Sequence, residues 1–439
     1  MLTRRSFCVH TLAAALAAPP VERLTYLDNG RVRVGCDLSL GGAIAYLSAA
    51  GRPNMVNSWD LGRQIQMSYY SGPAPLIVGR KKPAPMWAAL GWNPVQSGDH
   101  YRNPSRLLSH TNDGKTIHVR CTPMLWTHDD IPAECTFEAW IGLDGPAVVV
   151  KCRLTNRRTD RTLYPARDQE MPAVYLNARY HRLITYAGES PGTDDKQTLR
   201  IVKKPGSPGP WTYFTATENW AALVDDDDFG VLVHNPDCGR FVGGFAGKPG
   251  KGGPRDSSTG YVAPIARVLL DHDIAHEYAY TLVVGDLAAS RKYLRCRPPK
   301  PPMYRFTSSR EGWTHNGVLD AGWPIRKELR LTLAGSAPEL IGPVGFWRAE
   351  TPRLTVEAAL TTKAKQARVY WMTLGDKTFD AKRSVPFDIV GDGTMRRYVL
   401  DLGKHSGYTG AIAQIRLDPI IGGAKGDEVR MRAIWFEKR

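Results

Sequence analysis

Apolar positions in this chain recur at every second residue in short runs, and no long stretch carries the 3.6-residue apolar spacing of an amphipathic helix. Residues 134–141 and 148–154 both alternate, and Asp144-Gly145 between them reads as a two-residue hairpin turn. That turn sets Phe137 opposite Cys152 and Glu138 opposite Lys151, with Cys135 and Cys152 on one face as two buried thiols. Further strand-like runs cover Leu329–Leu333 and residues 354–359, 367–371, 397–402, 413–417 and 428–436. With 42 glycines and 32 prolines to supply turns, the pattern predicts an all-β protein of short strands.

Two stretches break the pattern. Residues 296–303 hold four prolines; lacking backbone N–H groups, they make a stiff spacer rather than core. The spacer predicts two domains, 21–295 and 304–439, as expected for a chain too long for one core. At the other break, Thr3, Arg4, Arg5 and Phe7 precede an apolar run over residues 11–18, with Ala15-Leu16-Ala17 as a small-residue cleavage site. Residues 1–20 resemble a bacterial twin-arginine signal peptide, with an ordinary secretory signal as the alternative. The run is too short to cross a bilayer, which takes about 20 residues. Both readings imply a periplasmic or secreted protein, and no later segment reaches membrane-spanning length.

The formal charge of +15, two fewer once Arg4 and Arg5 leave with a leader, favours anionic partners through its long-range field. No recognition-helix, zinc-finger or RNA-binding signature accompanies it, and the basic residues are scattered, so nucleic acid is not expected. An acidic polysaccharide suits an exported protein better, and a basic surface that merely keeps the protein soluble is the bland alternative. Of seven cysteines, six lie beyond the leader, and their pairing is not readable from spacing. No Cys-x-x-Cys or clustered Cys/His spacing appears, so neither a metal nor a cofactor is expected. The acidic run at residues 225–228 reads as a solvated turn, with a calcium site as the alternative, although it lacks the spacing of an EF-hand loop. His234, His272 and His276 complete the pool of candidate residues; His272 and His276 either bind a metal or are, as readily, turn residues of a strand region.

Residues 32–47, two strands around Gly41-Gly42, followed by residues 54–63 and by the pattern Cys152-Arg-Leu-Thr-Asn156 and Arg161-Thr-Leu-Tyr164, resemble galactose mutarotase-like domains. The resemblance spans about residues 24–290. It implies an antiparallel β-supersandwich that holds sugars in an open face. Residues 367–372, the turn near Phe379-Asp380 and residues 414–419 are similar to the accessory jelly-roll β-sandwiches, or carbohydrate-binding modules, of carbohydrate-active enzymes. There Trp347 and Trp371 are either sugar platforms or, more commonly for tryptophan in a strand, core.

Candidate site residues follow from the pattern. In residues 60–70 alternation places Arg63, Ile65, Met67 and Tyr69 on one side and Gln64, Gln66, Ser68 and Tyr70 on the other. The second face offers amides and hydroxyls to sugar hydroxyls, or simply to water. Residues 92–105 are rich in turn formers and predict a long loop, in which Trp92 would stack on a ring while Asn93, Gln96, Asp99 and Asn103 bond its substituents; the alternative is a loop packed on itself. A strand through residues 167–175 presents Asp168 and Glu170 on one face, about 7 Å apart, near the spacing two carboxyls need for work on a glycosidic bond. The alternative pairs Asp168 with Arg167 or Arg179. Glu170, beside an apolar run, is the first candidate acid. Glu134 and Glu218 are possible partner acids, and Glu218 sits with Trp220 at the mouth of another apolar strand.

No Gly-x-Ser-x-Gly elbow, Walker loop or dinucleotide fingerprint is present. The expectation is therefore an exported carbohydrate-active enzyme cleaving an oligo- or polysaccharide, most simply a glycoside hydrolase. The first alternative is a polysaccharide lyase, in which His128 or a tyrosine removes the proton beside a uronate while Arg63 or Lys82 neutralises it. The second is a non-catalytic glycan-binding protein.

Overall fold

A computed structural model describes residues 23–438 apart from 194, 196, 203–208, 298–300 and 321. The segment expected to be a leader, residues 1–20, and the centre of the proline-rich stretch lie outside the described residues. Strands take 49% of the chain and helices 6%, so the protein is all-β, as the period-two pattern predicts.

Two large antiparallel sheets enclose the first core. One runs in the order Leu24–Asp28, Val32–Asp37, Ala43–Ala49, Ile65–Ser68, Arg167–Asn177, Thr259–Val268, Arg240–Ala246, Trp211–Thr215, with Pro94–Val95 and Met124–Leu125 attached. The other runs Leu199–Ile201, Arg182–Thr185, Trp220–Val224, Phe229–His234, Ile274–Asp286, Ala147–Asn156, Cys135–Asp144, Thr116–Thr122, Arg106–Asn112. Val34, Leu47 and Val174 from the first sheet meet Val119, Phe137 and Leu282 from the second in one buried cluster. This is the β-supersandwich layout, each strand turning alternate side chains inward.

The predicted hairpin forms one step later. Asp144 pairs with Ala147, so the turn is Gly145-Pro146, with Gly145 at φ +57°, a backbone region that glycine enters without penalty. Phe137 therefore faces Leu154, and Ala139 faces Cys152. The shift of partners is two residues, which preserves the inward face, and Cys135 and Cys152 are both buried free thiols.

Residues 303–437 form two six-stranded sheets around a second buried cluster, which includes Leu354, Val369, Ile415 and Phe436. Trp347 and Trp371 belong to that core, their indole N–H groups donating to the Tyr408 hydroxyl at 3.1 Å and the Gly407 carbonyl at 3.0 Å; both are core rather than platforms. We propose that residues 296–303 divide the chain into two domains. The sheet pairs meet through Arg310, whose fully buried guanidinium bridges Asp271 and Asp320. Among the described residues no helix is long and apolar enough to cross a membrane.

Candidate functional site

The strand Arg167–Asn177 lies at the middle of the ten-stranded sheet, between Ile65–Ser68 and Thr259–Val268. Glu170 pairs with Ser68 and Ile265, whereas Ala173 pairs with Gln66 and Val174 with Val262. One extra residue is thus inserted at Met171-Pro172, a β-bulge where proline's missing N–H costs no ladder bond. The insertion inverts the alternation. Asp168 and Glu170 before it, and Ala173 and Tyr175 after it, all face outward into one cavity of about 680 Å³. Met171, Val174 and Leu176 face the core.

Glu170 stands on the cavity floor. The Tyr70 hydroxyl donates to its Oε2 at 2.8 Å, and the Tyr261 hydroxyl donates to its Oε1. Both carboxyl oxygens are therefore occupied as acceptors. Burial first, and the Glu170 charge second, push both phenols well above the usual tyrosine range, so each keeps its proton at neutral pH. Tyr175 is raised by the same two causes in the same order.

Aromatic rings build the walls. Tyr175 and Tyr261 lie 4.6 Å apart between ring centres, Trp211 and Tyr261 4.8 Å. Across the opening Trp87 meets Trp126 edge-on at 6.0 Å. Trp87 comes from the short 3₁₀ helix Pro85–Leu90, which Arg167 ties down by donating to the carbonyls of Leu90 at 2.8 Å and Ala89 at 3.1 Å. Asp168 faces the same cavity but is held by Arg240 at 3.2 Å and Arg267 at 3.4 Å, not by Arg167 or Arg179. The arrangement can accept a proton at Glu170, donate one from a phenol, and stack rings against an apolar face.

Of the residues singled out from sequence, Glu170, Asp168 and Gln66 line this cavity together, with Ser68, Tyr70 and Asn93. The alternation over residues 60–70 holds, since Ile65, Met67 and Tyr69 join the core. Apart from Asn93 and Val95, which line the cavity, the turn-rich loop packs against the protein instead of reaching into it. Trp92 is a core residue with the Arg158 guanidinium 4.9 Å from its ring centre. Buried Gln96 accepts from the Met67 N–H and donates to the Gly41 carbonyl. Asp99 is consumed by the N–H groups of Tyr101, Asn103 and Asp130 and by the Asn103 amide. These polar groups, with Asn93, whose amide donates to the Tyr69 carbonyl at 2.8 Å, serve backbone that buried turns leave unpaired.

The remaining candidates also lie elsewhere. Arg63 pairs with Asp60 at 3.2 Å and donates to the Ser257 carbonyl. Lys82 is exposed outside the lining. His128 is fully buried against the Thr127 hydroxyl at 2.8 Å, and burial lowers its basicity. Glu134 is exposed and accepts from the Thr159 hydroxyl. Glu218 belongs to the other sheet's side, where Arg291 grips it with two bonds of 2.6 and 2.7 Å, and the indole N–H of buried Trp220 donates to it at 2.8 Å. That pair borders a second cavity of about 480 Å³. In the acidic turn Asp225 accepts from the N–H groups of Asp227 and Phe229 and pairs with Arg179.

Tyr261, Trp211, Trp87 and Trp126 were not anticipated. For Tyr261 a signal exists, because Tyr261, Ala263, Ile265 and Arg267 alternate along Thr259–Val268, putting a phenol and a guanidinium on one face. Trp87 and Trp126 come from irregular segments with no periodicity to read.

No family model and no curated protein matches this sequence. Among solved structures, a putative aldose 1-epimerase from Escherichia coli K12 is similar at 10% identity, with 60% of this chain and 99% of that chain covered and a TM-score of 0.40. A galactose mutarotase-like protein from Lactobacillus casei is similar at 12% identity, covering 60% and 99%, with a TM-score of 0.38. A low-affinity xylan-binding module from Roseburia intestinalis is similar at 13% identity over 32% of this chain and 96% of its own, with a TM-score of 0.24. At these identities and TM-scores, function is read from the cavity alone.

Proposed function

We propose that this chain is an exported carbohydrate-active enzyme that holds an oligo- or polysaccharide in the aromatic cavity and hydrolyses a glycosidic bond there. The observation that carries this reading is Glu170, a carboxyl held between two phenol hydroxyls on the floor of a ring-walled cavity. Apolar C–H faces of a pyranose pack on aromatic rings, and Trp211, Tyr213, Trp87 and Trp126 offer such rings. Gln66, Ser68 and Asn93 line the same cavity, where they are buried and bonded within the protein, Gln66 to the Ser97 N–H and the Leu61 carbonyl and Asn93 to the Tyr69 carbonyl.

In the chemistry that fits, Glu170 takes the proton of an attacking water while its oxygen bonds to the anomeric carbon. Tyr70 or Tyr261 gives a proton to the leaving oxygen as the old C–O bond breaks. The existing Glu170–tyrosine hydrogen bond then returns the proton, and the site is reset. Asp168 stands on the same face as a second carboxylate, but its two arginines neutralise it, so the acid–base work is assigned to Glu170 with the phenols. Elimination with a tyrosine as base is less well supported, since burial keeps both phenols protonated. His128, the other base considered, lies outside the lining.

The test is Glu170→Gln on a glycan panel with product analysis. The amide keeps the shape and cannot take the proton, so turnover should fall about 10²–10⁴-fold, the scale of general acid–base catalysis, while glycan binding persists. Tyr70→Phe and Tyr261→Phe should each lower turnover less, because either phenol can supply the other's proton. Full activity in Glu170→Gln would remove the assignment.

A further inference from the structure

We infer that the glycan taken by this cavity carries carboxylate groups and that Arg267 receives one of them; this rests on the reading of the cavity as a glycan site. Two guanidinium groups line the cavity, Arg167 and Arg267, against the carboxyls Asp168 and Glu170. A third guanidinium, Arg240, reaches Asp168 from beside the cavity at 3.2 Å, closer than Arg267 at 3.4 Å. Asp168 is thus already neutralised by Arg240, and the local balance is positive. Arg167 meets backbone carbonyls of Leu90, Ala89 and Ser71 rather than a carboxylate, so its charge adds to the excess.

Arg267 is the group with donors to offer. Its side chain is 61% exposed, and the contact to Asp168 uses one Nη of a fork that carries five N–H donors. Arg240 is committed differently, lying with its guanidinium 4.5 Å from the Tyr213 ring centre as well as on Asp168. Arg267 stands directly across from Asp168 in the ladder, while Glu170 pairs with Ile265, so Arg267 is a diagonal cross-strand neighbour of Glu170, about 7–8 Å away. A planar carboxylate on a sugar seated over Glu170 comes within reach of that fork, whose geometry suits bidentate recognition. The strongly basic chain adds a field that draws an acidic polymer toward the surface.

The experiment measures binding of the full chain, by calorimetry, to oligomers of galacturonate, glucuronate and mannuronate. Each is paired with its own carboxyl-reduced form, which has the same linkage and no charge. At least one uronate oligomer should bind about tenfold or more tighter than its reduced counterpart, the scale of a charge-assisted hydrogen bond. Arg267→Gln should bring that preference to within about threefold, and Arg267→Lys should restore part of it, as a point charge without the fork. Arg31→Gln, on an exposed turn of the same sheet, removes one charge elsewhere and should leave the preference intact. Equal binding of reduced oligomers, an undiminished preference in Arg267→Gln, equal binding of a sulfated neutral glycan, or no binding by any uronate would each overturn the inference. If reduced oligomers bind and are cleaved in a Glu170-dependent way, the glycan reading stands and the acidic one falls. If no glycan of either kind binds, both fall.

Discussion

Replacing Glu218 by alanine should damage the fold and leave the cavity chemistry untouched. In sequence this residue looks like a catalytic acid beside a tryptophan; in the structure it is a buried counter-ion. The Glu218 and Arg291 side chains are 7% and 5% exposed. Glu218 accepts two charge-assisted bonds from Arg291, one from the Trp220 indole and one from the Gly192 N–H at 3.0 Å. Alanine leaves the guanidinium in protein with no carboxylate, and breaking a buried pair from one side costs about 3–5 kcal/mol. For a folding unit of this size, that corresponds to a fall in Tm on the order of 10 °C. Glutamine keeps the shape and one acceptor, so it should cost less, about 1–3 kcal/mol. Arg291→Met in the alanine background removes the stranded charge and should recover part of the loss. The assay is thermal and urea unfolding followed by circular dichroism, with glycan binding measured on the folded fraction. A Glu218→Ala protein within about 1 kcal/mol of the parent, below the range for breaking a buried pair, would refute the structural role. So would a variant of parental stability that had lost turnover.

Two further outcomes are expected. His276 is buried with its Nδ1 3.0 Å from the Tyr69 hydroxyl, and burial pulls its pKa down to about 4. The unfolded imidazole binds a proton near pH 6.5 and the folded one does not until about pH 4, so stability is full above about pH 6.5 and declines as pH falls through that window. The loss amounts to about 3 kcal/mol; burial pulls His234 down to about 4 as well, so His276→Asn should lower the pH dependence of the urea midpoint between those limits by about half, and an unchanged slope counts against it. Export should depend on the arginine pair at the start of the chain, so Arg4→Lys with Arg5→Lys should reduce the periplasmic protein measured by fractionation. Undiminished export would leave the general secretory route.

The period-two pattern, the turn residues and the proline cluster determined the all-β class, the inward faces of most strands and the polar outer face at Gln66, Ser68 and Tyr70. These are local properties, set by alternation along one strand. Even the hairpin at Gly145-Pro146, displaced by one position, kept its faces because a two-residue change of partners preserves parity. What the tertiary structure alone decided was which polar residues are free for chemistry. Asp99, Gln96, Glu218 and Glu170 are equally polar in sequence, yet three serve backbone N–H groups or a buried arginine, and one faces a cavity. That difference depends on partners 29 to 100 residues away, Met67 for Gln96, Arg291 for Glu218 and Tyr70 for Glu170. The β-bulge at Met171-Pro172 adds a step that simple alternation misses, since one extra residue turns Tyr175 to the same side as Glu170. Burial and hydrogen-bond satisfaction are properties of the packed whole, and they separate a carboxyl that faces a cavity from a structural one.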